Sequence, residues 1–151
     1  MNESSDALRA AHRLAYGLGL GLCLGTSGLI TLLLRTGVLP PGTEAPVGTY
    51  LQLGYLFTGI VFLSATWVWW RRAQSLRGLK DLPEAQRPAR IFHECLLYAA
   101  VFEASCLCGL IYWLLVGAQA SRHAWGFILM TPLLFLTLVP SYRRWEQALV
   151  D

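Results

Sequence analysis

The amino-acid sequence predicts an all-α membrane protein: four transmembrane helices in an antiparallel bundle, with both termini on the cytoplasmic side. Three observations carry that expectation. Hydrophobic residues make up 55% of the 151 and charged ones only 14%, against about a quarter charged in a soluble domain. The apolar residues are gathered into four runs, about 14–34, 50–70, 95–116 and 124–142, and roughly 20 residues at 1.5 Å each cross a bilayer core. The basic residues lie between the runs, with a strong imbalance of sides. A soluble bundle would need a polar stripe along each helix, and none of the runs has one.

The N-terminal segment, Met1 to Ala11, is polar and short, and Ser4, Ser5 or Asp6 is placed to cap a helix leading into the membrane. The first run follows Arg9 and Arg13 much as a signal peptide follows its basic region. It is long, however, and no small-x-small site precedes Arg35, so an uncleaved span is expected. Within Tyr16-Gly-Leu-Gly-Leu-Gly-Leu-Cys-Leu-Gly-Thr-Ser-Gly, the residues Gly17, Gly21, Gly25 and Gly28 recur at spacings of four, four and three, which places them on one helix face. Helices in lipid associate by close van der Waals contact, which a face without side chains permits. This stripe is expected to be a helix-packing surface, either within the bundle or between copies of the protein.

The next segment, 36–49, holds Gly37, Pro40, Pro41, Gly42, Pro46 and Gly48 and reads as a connector without helix or sheet. The second run ends in Trp67, Trp69 and Trp70. The loop 71–94 carries Arg71, Arg72, Arg77, Lys80, Arg87 and Arg90, and is long enough for helical extensions interrupted at Pro83 and Pro88. With four spans these cations share a side with Arg9, Arg13, Arg143 and Arg144, leaving Arg35 and Arg122 opposite. The positive-inside rule then puts both termini in the cytoplasm. The net charge of +3 is accounted for by topology, which argues against a nucleic-acid partner. The loop cations read first as a topology determinant and nothing more; contact with anionic headgroups, at about 1 kcal/mol each, is the alternative. Trp67, Trp69, Trp70, Tyr142 and Trp145 mark an inner aromatic girdle; Tyr50, Tyr112, Trp113 and Trp125 mark an outer one.

Glu103 stands near the middle of the third run and is the only ionisable side chain deep in any of the four. A carboxylate at that depth is expensive, so it is expected to face the bundle; in the alternative reading it is permanently protonated and bonded to a hydroxyl such as Ser64, Thr58 or Thr26 as interhelical glue. Desolvation favours the protonated form of such a group, and an acid that can hold and release a proton is what a relay uses. Glu94 and His93 stand at the inner end of the same run, where water is expected. His12 and His93 lie near one surface, a placement open to a haem or quinone anchor, though neither has a close second ligand at helical spacing. His123 reads as an interface residue. Cys23, Cys95, Cys106 and Cys108 all fall within spans; Cys106 and Cys108 are about 200° apart on one helix and cannot pair. The loop before the fourth run is about eight residues, which forces its flanking helices to be antiparallel neighbours. Pro132 should kink that run and free the carbonyl of Ile128. Pro140 ends its apolar stretch, with Ser141 and Tyr142 completing the crossing.

The stretches Leu82-Pro-Glu-Ala-Gln-Arg-Pro-Ala-Arg, Leu96-Leu-Tyr-Ala-Ala-Val-Phe-Glu-Ala and Gly109-Leu-Ile-Tyr-Trp-Leu-Leu resemble the polar loop and ion-carrying helix of rotary ATPase proteolipid c subunits. The resemblance covers residues 82–116 and implies that Glu103 is an ion-binding carboxylate. The chain departs from the proteolipid pattern in carrying its glycine stripe on the first span rather than on the helix before the loop. The expected function is a small, non-enzymatic membrane subunit of a larger assembly, or of a homo-oligomer, with Glu103 as a proton-binding candidate. A purely structural accessory protein, with Glu103 as neutral glue, is the alternative. The sequence names no cofactor, no metal ligand set and no catalytic group.

Overall fold

The computed structural model describes residues 3–150, with side chains from Asp6 onward. All its regular structure is helical: α1 (Glu3–Arg35), α2 (Val47–Arg77), α3 (Arg87–Val116), α4 (Ser121–Leu138) and α5 (Tyr142–Val150), with single 3-10 turns at Glu84–Gln86 and Ala118–Ala120. Four stretches, Asp6–Arg35, Val47–Arg77, Glu84–Val116 and Ala118–Val150, are long and apolar enough to cross a membrane.

The boundaries differ from those read in the sequence, each for a local reason. α1 is already helical at Glu3, so Ser4, Ser5 and Asp6 lie inside its first turns rather than ahead of them; the side chains of Ser4 and Ser5 lie outside the described residues. Pro88 opens α3 instead of interrupting it, since a first-turn residue has no intrahelical N–H partner to lose. The run to Tyr142 is not one helix. Pro140 drives Val139 to extended backbone (φ −71°, ψ 128°), α4 stops at Leu138, and Tyr142 begins α5. In α5 the residues Tyr142, Trp145 and Leu149 make one apolar stripe, and Trp145 is fully buried.

α3 is the central helix, with α1, α2 and α4 all packed on it. Hydroxyls bond backbone carbonyls across these contacts: Ser105 Oγ donates to the Phe127 carbonyl at 2.7 Å and Thr131 Oγ1 to that of Phe102 at 3.2 Å. Pro132 has no N–H to offer Ile128, and the freed Ile128 carbonyl accepts from Ser27 Oγ of α1 at 3.0 Å. Glycine permits the closest approaches. A Cβ on Gly19 would meet Phe135 at 2.7 Å, and one on Gly109 would meet the Ala124 carbonyl at 2.7 Å.

The connector read as 36–49 is helix-free only over 36–46, because α2 already begins at Val47 and takes in Gly48 right after Pro46; the remaining segment is tied down. Trp113 Nε1 donates to the Leu39 carbonyl (3.2 Å), the Gly42 amide to the Trp113 carbonyl (3.2 Å), and Gln119 Nε2 to the Ala45 carbonyl (2.8 Å). A Cβ on Gly42 would run into the Leu114 carbonyl and one on Gly117 into the Gly42 carbonyl, and Gly117 also has φ +79°. Of the expected girdles, Trp67, Trp69 and Trp70 are exposed, whereas Tyr112 and Trp145 are core residues. Tyr112 is drawn inward because its hydroxyl donates to the Tyr50 carbonyl at 2.8 Å.

Candidate functional site

Glu103 projects from the middle of α3 toward α1 and is half-buried. Of the three hydroxyls named as partners in the glue reading, Thr26 meets it: its Oγ1 is 2.7 Å from Glu103 Oε2. Thr58 instead donates to the Gly54 carbonyl of its own helix. Glu103 Oε1 is buried without a hydrogen-bond partner among the described residues. The thiols of Cys23 and Cys106 are the neighbouring polar groups. Among the described residues, no Arg, Lys or His lies within ion-pair distance of Glu103.

The hydroxyl of Thr26 has one proton and three acceptors. Besides Glu103 Oε2 it lies 3.0 Å from the Leu22 carbonyl and 3.4 Å from that of Cys23. When Thr26 donates to Leu22, the usual bond of a helical threonine, the 2.7 Å contact is satisfied only by a carboxyl that donates its own proton to Thr26 Oγ1. When Glu103 is ionised, the hydroxyl turns and donates to Oε2 instead. Both arrangements keep the same heavy-atom positions.

The glycine stripe lies on the opposite side of α1 from its bundle contacts. A Cβ at Gly17, Gly21, Gly25 or Gly28 would meet nothing within 4 Å among the described residues, and all four positions are exposed. This face therefore makes no contact within the bundle. The glycines that pack inside the bundle are Gly19, Gly54 and Gly109. At about 100° per residue, the outward face turns through the exposed Leu22 and Leu29 to the Thr26 edge, beside Glu103.

Sequence reading missed the densest polar cluster. Glu94, expected at a watered surface, is fully buried between two arginines. Arg71 of α2 reaches it with two bonds, Nη2 to Oε1 at 2.9 Å and Nε to Oε2 at 3.3 Å, and Arg90 Nη2 meets Oε1 at 3.0 Å. The i,i+4 spacing of Arg90 and Glu94 was a signal for the second contact; nothing local announced Arg71, 23 residues away.

The two histidines considered for a cofactor have separate surroundings. His12 is buried, with Nε2 3.1 Å from the Pro140 carbonyl and its ring stacked on Tyr16, while His93 is exposed. His123 Nδ1 pairs with the Tyr50 hydroxyl at 2.8 Å. No group of three His, Cys, Asp or Glu side chains suited to a metal ion occurs among the described residues. No family model, curated protein or solved structure matches the chain.

Proposed function

We propose that this chain is a small multi-pass membrane subunit in which Glu103 binds and releases a proton, and that it joins its assembly through the outward face of α1. The observation that carries this reading is the Thr26–Glu103 pair: a carboxyl in mid-membrane, with no counter-charge, whose hydroxyl partner accommodates either protonation state. The likeness of residues 82–116 to a proteolipid hairpin agrees with a proton-binding carboxyl at this place on the third helix.

The assembly half of the proposal rests on the glycine stripe. Four glycines turned to lipid would leave a groove on α1 with leucines beside it, and a second membrane helix, from another subunit or another copy, fills such a groove closely. Seated there, it would also shield the half-buried Glu103. The orientation we adopt is an antiparallel bundle with both termini cytoplasmic. It is supported by the charge imbalance and by contacts that link one end of α1 to the far end of α4, such as His12 to Pro140.

Labelling with a hydrophobic carbodiimide, which attacks protonated carboxyls, tests the proton site. Labelling should concentrate on Glu103, fall as pH rises, and vanish in Glu103→Gln. Labelling at Glu103 that stays constant across the same range would identify permanently neutral glue and overturn the proposal.

A further inference from the structure

The cleft between the end of α2 and α5 is a second site, separate from Glu103. It has a volume of about 650 Å³ and is lined by Leu76, Arg77, Lys80, Arg144, Gln147 and Ala148. Its lining includes three cations and no carboxylate, and none of the three has an ion-pair partner within 4.0 Å among the described residues. Arg72, whose Nη1 donates to the Leu138 carbonyl at 3.0 Å, adds a further positive charge near Arg144. Like charges held together are unfavourable unless an anion joins them.

The cleft is held from both sides. Arg87 donates to the carbonyls of Lys80 (3.2 Å) and Leu82 (3.1 Å), and Leu79 beside them is fully buried, so the backbone carrying Lys80 is fixed. Arg144 directly precedes Trp145, whose complete burial sets the register of α5. Leu76 and Ala148 give the cleft an apolar part beneath its charged rim. Arg77 lies seven residues past the exposed Trp70, or about 10 Å along the helix, which corresponds to headgroup depth rather than hydrocarbon.

We propose that this cleft binds the phosphate of an anionic phospholipid, with Arg77, Lys80 and Arg144 on the phosphodiester and the glycerol end against Leu76 and Ala148. Arginine forks suit phosphate oxygens, and the apolar part selects a lipid ester over a free anion. The inference rests on the bilayer placement of the helices. It depends neither on Glu103 nor on which membrane face the cleft occupies.

The test is native mass spectrometry of the full chain in mild detergent with equal amounts of phosphatidylglycerol and phosphatidylcholine. Wild type is compared with Lys80→Gln/Arg144→Gln and with Arg13→Gln/Arg143→Gln, which removes the same charge from the same end outside the cleft. All four side chains are exposed, and circular dichroism confirms that each variant remains helical. The wild type should retain phosphatidylglycerol in preference. The cleft variant should bind it about tenfold more weakly or worse, and the control no more than about twofold. Equal losses in both variants would mean diffuse surface attraction and would overturn the site. Displacement of the lipid by millimolar inorganic phosphate would overturn its assignment to a phospholipid.

Discussion

Two acidic residues nine positions apart on α3 have opposite surroundings, and their predicted behaviours diverge accordingly. Glu94 is an ion-paired carboxylate: removing Arg71 strands a buried negative charge on Arg90 alone, whereas removing the acid leaves two arginines that still reach water. Arg71→Met should therefore lower unfolding stability by about 2–4 kcal/mol, and Glu94→Gln by roughly half as much. A reversible unfolding titration in mixed micelles distinguishes the two, and a larger loss for Glu94→Gln would contradict the charge argument. Glu103 has one hydroxyl and no cation, so Thr26→Val should cost only about 1 kcal/mol, the scale of a hydrogen bond between membrane helices. The chemical meaning of Glu103 was legible in the sequence because depth in an apolar run is a one-dimensional property. The role of Glu94 was not, because its burial is decided by an α2 arginine that only the folded chain brings near.

At the scale of the element, α1 presents two faces that substitution should separate. Gly19→Leu drives a side chain into Phe135 and Ala99 and should prevent folding, whereas Gly21→Leu and Gly25→Leu meet open space. The latter two should leave helicity and unfolding unchanged while removing a complex from a native gel. Loss of folded protein in all three variants would place the outward face inside the bundle after all. The kink in α4 gives a sharper prediction. Ser27→Ala should cost about 1 kcal/mol, and the cost should shrink in a Pro132→Ala background, where Ile128 regains a backbone N–H partner. A double-mutant cycle with no coupling would mean that Ser27 does not compensate the proline. Glycine spacing located the stripe but not its direction, since four small residues on one face look the same whether they turn toward a neighbour or toward lipid.

For the whole molecule, hydropathy was enough to find four long helices, because crossing length is set by the bilayer and not by packing. It was not enough to find α5, whose nine residues are too few for a hydropathy run and whose cue was only the Tyr142, Trp145, Leu149 spacing. Aromatic residues misled where a hydroxyl or a docking helix drew them inward, as at Tyr112 and Trp145. The central claim concerns a proton on one carboxyl, and pH-difference infrared spectroscopy of the chain in lipid tests it most directly. As pH rises, a protonated-carboxyl C=O band should lose intensity in wild type, and it should be missing from Glu103→Gln. A band that Glu103→Gln removes but that pH leaves unchanged would contradict the account.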